Sequence, residues 1–130
     1  MNQKEIINKI HEFYNRIEDY MIYYSLREWG LRHIRESTIQ TVKYCIVMGY
    51  MSQPITVSYI HYLVDKTSVS RSAISNRLHI LGDKNVINLL GFKGSVKIYE
   101  LNTDFASILK IGLIEEILEW REKHIGKLHK

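Results

Sequence analysis

The chain has 130 residues, 45% of them hydrophobic and 25% charged, with 18 Lys and Arg against 14 Asp and Glu. These values predict one globular domain with a modest core, and no run of about eighteen apolar residues is present to span a membrane. Cys45 is the only cysteine, which excludes an intramolecular disulfide and a thiolate zinc cluster.

Residues 1–30 predict one long helix. Ile6, Ile10, Phe13, Ile17, Tyr20 and Tyr24 recur at alternating steps of four and three, a heptad seam suited to a partner helix. Ile7, Tyr14 and Met21 widen the stripe, and Gly30 is the expected stop. The same seam also suits a helix folded back on its own domain. Lys4, Glu5, Lys9 and Glu12 interrupt the apolar residues in a way unlike a secretory signal, so a cytoplasmic protein is expected.

The link from Leu31 to Glu36 is basic. Arg32, His33 and Arg35 suit a DNA backbone or simply a solvated connection. Ser37 or Thr38 then caps a helix running to about Tyr50, with Ile39, Val42, Ile46 and Val47 on its core face. Cys45 lies among these and reads as a buried structural thiol. Pro54 ends the pattern, because the residue before a proline disfavours helix. A shorter helix follows over 56–65, with Val57, Ile60, Leu63 and Val64 inward, and Asp65–Ser68 form a turn.

Ser70 is a good N-cap for a helix over 70–82. Ala73, Ile74, Leu78 and Leu81 mark its inner face. The outer face holds Arg71, Ser72, Ser75, Asn76 and His79, a short surface rich in hydrogen-bond donors. Gly82 and Asp83 are the expected stop. Val86 to Leu90 predict a strand, Gly91–Ser95 a tight turn, and Val96 to Leu101 a returning strand. Thr103 caps the last helix, expected over 103–128, with Asp104 in its first turn. One seam there runs Phe105, Ile108, Ile111, Ile114, Leu118 and Ile125. A second runs Leu109, Leu113, Ile117 and Trp120. Such a helix needs two neighbours.

Helix 37–50, helix 56–65, helix 70–82 and hairpin 86–101 occur in the order of a winged helix-turn-helix. The segment resembles the MarR- and ArsR-type transcriptional regulators, with small archaeal or viral winged-helix regulators an equally good comparison. The expected fold is therefore mainly α with a small β-hairpin (α+β): a single domain, 1–130, whose winged helix-turn-helix (37–101) is flanked by dimerisation helices at 1–30 and 103–128. The resemblance implies a homodimer that binds double-stranded DNA at a pseudo-palindromic operator, with helix 70–82 in the major groove. Arg71, Ser72, Ser75 and Asn76 are the expected base contacts, Arg77 and His79 the expected phosphate contacts, and Ser70 a cap that also offers its helix N-terminus to a phosphate. Lys93 and Lys97 would hold the wing on the backbone.

Charge placement agrees with this. Residues 1–30 carry four basic and five acidic groups, residues 101–130 five of each, and residues 31–100 nine basic against four acidic. The excess falls on the segment that would meet phosphates. No phosphate-cradling glycine loop, nucleophile elbow or HExxH pattern occurs, so no enzymatic activity and no cofactor are expected. His124 near Glu119 and Glu122, with His129 beyond, lacks the Asp-x-His pattern of metal-sensing relatives, and His61 suits packing or a phosphate better than a metal. No residue names a small-molecule effector. The competing expectation is a winged helix used for protein–protein interaction without DNA.

Overall fold

In the computed structural model, which describes residues 1–64 and 69–125, the chain is wrapped around one helix. This helix, α3 (Glu36–Tyr50), is buried along almost all of its length from Ile39 to Met48. It packs against both terminal arms, the second strand of the hairpin and the helix over 71–83. A helix that is apolar on every side has to be covered on every side. Two of its buried side chains are polar: Thr41, whose hydroxyl donates to Ser37 O at 2.9 Å, and Lys43, where Asp19 Oδ1 lies 2.8 Å from the ammonium and the Tyr14 ring centroid 4.2 Å away. Asp19 and Tyr14 satisfy a Lys43 charge that would otherwise be costly to bury.

The N-terminal arm is two helices, not one: α1 (Gln3–Arg16) and α2 (Asp19–Trp29). Ile17 is extended at φ −85° and ψ 123° and breaks the run. The reason lies in phase. Ile22 is five residues beyond Ile17, and a continuous helix would turn it about 140° away from the Ile10–Phe13–Ile17 stripe. Breaking the helix lets Ile22 and Leu26 become buried along with that stripe. Tyr20 and Tyr24, expected to extend the seam, swing out and are 59% and 65% exposed. Gly30 does stop the arm, in the left-handed region at φ 109°, with its N–H bonded to Arg27 O and that of Leu31 to Leu26 O.

After α3, Ile55 pairs with Tyr99 far along the chain, the Tyr99 N–H donating to Ile55 O at 2.9 Å. Next come α4 (Val57–Leu63), capped by Thr56, and α5 (Arg71–Asp83). The expected turn at Asp65–Ser68 lies outside the described residues. Strands β1 (Ile87–Lys93) and β2 (Val96–Leu101) form an antiparallel hairpin with a bulge at Leu90. The turn is shorter than Gly91–Ser95. Gly91 and Phe92 are in the strand, and Gly94-Ser95 alone link the paired Lys93 and Val96. Gly94 has φ 65°, which two-residue hairpin turns require at this position.

The C-terminal arm is also divided, into α6 (Thr103–Ser107) and α7 (Leu113–His124), with residues 126–130, His129 among them, outside the described part. Gly112, a poor helix former, sits at the start of the second piece. The cap of α6 is Asn102, not Thr103: its Oδ1 accepts from the N–H groups of Asp104 and Phe105 at 2.8 and 3.0 Å. The division lets Phe105 pack edge-on to Trp29 at 5.6 Å while Phe13 meets Trp120 edge-on at 6.4 Å. Arg16 and Glu116 make two hydrogen bonds that join α1 to α7. The arms thus pack on α3 and on each other within one chain. Among the described residues, no helix is long and apolar enough to cross a membrane.

Cys45 is fully buried in α3, and burial pushes its thiol up to about 12. A thiol reagent at pH 8 is therefore expected to react with Cys45 only as fast as the chain unfolds, whereas prompt reaction would mean that α3 is accessible. A raised folded-state value also means that the stability it contributes is intact below the ordinary thiol value of 9.0 and is lost as pH rises toward 12. Tyr14 and Tyr44, whose hydroxyls are likewise pushed up mainly by burial, act in the same direction. Urea midpoints should fall from pH 8 to pH 11.

Candidate nucleic-acid interface

Helix α5 is set in place by its two ends and one face. At its start, Ser70 Oγ accepts the Ala73 N–H at 3.1 Å. At its finish the left-handed residue is Asn85 at φ 59°, and the N–H groups of Asn85 and Val86 reach back to Gly82 O and Leu81 O. The expected stop at Gly82 and Asp83 is corrected accordingly, since both belong to the helix. Asparagine enters this conformation more readily than most residues because its short polar side chain can interact with the neighbouring backbone. Ile74, Leu78 and Leu81 are buried, which fixes the rotation of α5 and leaves Arg71, Ser72, Ser75, Asn76 and His79 exposed.

Two clefts run along the sides of that exposed crest. One, of about 490 Å³, lies between α5 and the hairpin and brings Arg71, Ser72 and Ser75 together with Ser58, Ser95 and Lys97. Arg71 Nη2 donates to Ser58 Oγ at 2.8 Å, so the guanidinium is steadied by α4. The register pairs Lys97 with Phe92, and Lys93 with Val96 one step on. Alternation along a strand therefore puts Lys97 and Lys93 on opposite faces of the hairpin. Lys97 joins the α5 side, and Lys93 stands at the tip on the other side. The expected pair of wing lysines is thus divided.

The second cleft, of about 740 Å³, lies between α5 and the 31–38 segment. Ala73, Arg77, Ile80 and Lys84 reach it from α5 and its end, spaced as one helical flank. Arg32, His33 and Arg35 face them from the link, and Asn76 stands at the rim. Arg77 is half-buried here, not at the outer crest. Sequence reasoning missed Lys84, although the step of seven from Arg77 puts both on one flank. It also missed Ser58.

His79 lies 3.5 Å from Asp83, and both are well exposed. The Asp83 carboxylate would stand against a phosphate at that end of the crest, which makes His79 the least suited of the expected backbone contacts. Ser72 Oγ lies 3.2 Å from Ser70 Oγ, whereas the Asn76 amide and the Ser75 hydroxyl make no hydrogen bond among the described residues. His61 is half-buried on α4. His124 stacks on Trp120 with its Nδ1 2.9 Å from Trp120 O. Among the described residues, no group of three or more His, Cys, Asp or Glu side chains gathers as metal ligands would. Comparison of the chain with protein-family models, with characterised proteins and with solved structures finds no match.

Proposed function

We propose that the chain binds double-stranded DNA as a homodimeric transcriptional regulator of winged-helix type, with α5 in the major groove and the hairpin as the wing. One observation carries this reading. The polar crest of α5 is bordered on both sides by clefts that present cations, Lys97 and Arg71 on one side and Arg32, Arg35, Arg77 and Lys84 on the other. A helix in the major groove, about 12 Å wide, has a phosphate backbone along each side. A donor-rich crest between two basic flanks has the matching layout: phosphates position, base edges specify. The element order, including the contact of Ile55 with β2, further supports a winged helix.

The reading includes a twofold dimer on a pseudo-palindromic operator in the cytoplasm, and neither enzymatic activity nor a cofactor. Ile10, Phe13 and Ile17 are already covered inside the chain, so the dimer would bury other surface, with exposed Tyr20 and Tyr24 on α2 the natural candidates. A second reading, a protein-interaction module, is favoured by the hairpin, where Leu90 and Phe92 are 62% and 60% exposed and Leu89 and Val96 nearly half so. A mobility-shift assay with random and genomic duplexes at two salt concentrations separates the two. Duplex binding that weakens steeply with salt is expected. No binding in dilute buffer would leave the interaction module as the better reading.

A further inference from the structure

We infer that the cleft between the 31–38 segment and α5 is a phosphate-binding cradle that grips the DNA backbone on the side of α5 away from the hairpin. The inference rests on the DNA reading for the source of the phosphate, but the cradle stands on its own chemistry. Four cationic side chains, Arg32, Arg35, Arg77 and Lys84, line one concavity from two chain segments more than forty residues apart, and among the described residues no carboxylate lines it. Among the described residues none of the four makes an ion pair. Like charges brought together without a counter-charge repel one another, and an oxyanion between them relieves that repulsion. Arginine forks suit phosphate oxygens in pairs, lysine adds a point charge, and the Ser37 and Thr38 hydroxyls add neutral donors on the cleft wall.

The walls are also held apart at a fixed width. Trp29 Nε1 donates to Lys84 O at 2.8 Å, which anchors the end of α5 to the end of α2 just before the link begins. Leu31 is buried and ties the start of the link to the core. The cations are thus mounted on a frame formed before any ligand arrives. The nearest acidic groups in sequence, Glu36 and Asp83, are both exposed and outside the lining.

The test uses the full chain, two 20-base-pair duplexes of different sequence, and inorganic phosphate as a separate probe. The double variant Arg32→Gln, Arg35→Gln and the single variant Lys84→Gln are compared with Lys110→Gln, which lies far from the cleft in sequence and outside its lining. For each phosphate that a variant no longer neutralises, the plot of log affinity against log salt should become shallower by about 0.9, so that the drop in affinity between 50 and 200 mM salt shrinks by roughly 3- to 4-fold. Lys110→Gln should leave the slope unchanged, and the ratio of affinities for different sequences should persist in every variant. Thermal unfolding of each variant checks that the fold is intact. Duplex binding with unchanged slopes in both cradle variants would overturn the cradle and leave the α5 reading standing. A chain that ignores duplexes, yet whose Arg32, Arg35 and Arg77 side-chain resonances shift with inorganic phosphate, would keep the cradle for a free phosphate group and remove the DNA reading. Neither duplex binding nor phosphate-induced shifts would overturn both.

Discussion

Asn76→Ala is expected to lower discrimination between an operator and its single-base variants by about 1–3 kcal/mol, roughly 5- to 150-fold in relative affinity. The expectation follows from where the residue stands. Buried Ile74 and Leu78 turn Asn76 to the outside of α5, and it has no hydrogen bond within the described chain to give up. Arg71 is held by Ser58, and Ser72 has Ser70 within reach. The Asn76 amide is thus free to present a donor and an acceptor together, which is what the major-groove edge of adenine accepts. An exposed side chain on a capped helix contributes little to folding, so the variant should unfold within about 0.5 kcal/mol of the parent. Affinities for a selected duplex and its substituted versions, measured at one salt concentration, check the result. A loss equal on every duplex would make Asn76 a backbone contact, and no loss on any would take the crest of α5 off the DNA.

Local rules made the middle of the chain legible. Ser70 caps its helix as its hydroxyl predicts, and the hairpin spans 87–101 where 86–101 is expected, with β1 running on to Lys93. The cap expected at Ser37 or Thr38 is not made, because α3 already begins at Glu36 after Arg35. Where the outcome depended on two segments competing for the same core, spacing misled. Tyr20 and Tyr24 continue the heptad by count, but tyrosine carries a polar handle and tolerates exposure. Ile22 and Leu26 make the stronger demand for burial, and the helix breaks at Ile17 to meet it. The contact of Ile55 with Tyr99 is a single-residue pairing with no period to detect. The cleft beside α5 is harder still to foresee. Arg32 and Arg35 in a link and Arg77 and Lys84 on a helix flank become neighbours only after Trp29 and Leu31 have fixed the path of the chain. Each half was visible as charge, and their meeting is a product of tertiary structure.

Phe13→Ala is expected to have the largest effect on stability, a loss of about 3–5 kcal/mol and a fall in Tm of roughly 10–20 °C for a domain of this size. Phe13 is fully buried, stands edge-on to Trp120, and lies 5.0 Å beneath the Lys9 ammonium. Truncation removes the transfer free energy of the ring and leaves a cavity between α1 and α7. The remaining clasp between those helices includes the exposed Arg16–Glu116 pair, and an exposed ion pair adds little. The comparison that gives the number meaning is Tyr20→Ala, on the open face of α2, which should cost no more than about 0.5 kcal/mol in an isolated chain. If Tyr20 meets a second copy, its cost appears only at concentrations where the dimer forms, while that of Phe13→Ala does not change with concentration. Denaturation of both variants at two protein concentrations distinguishes the inner seam from the outer one. A Phe13→Ala cost that grew with dilution or vanished at high concentration would mean that Ile10, Phe13 and Ile17 close a contact between chains instead of within one.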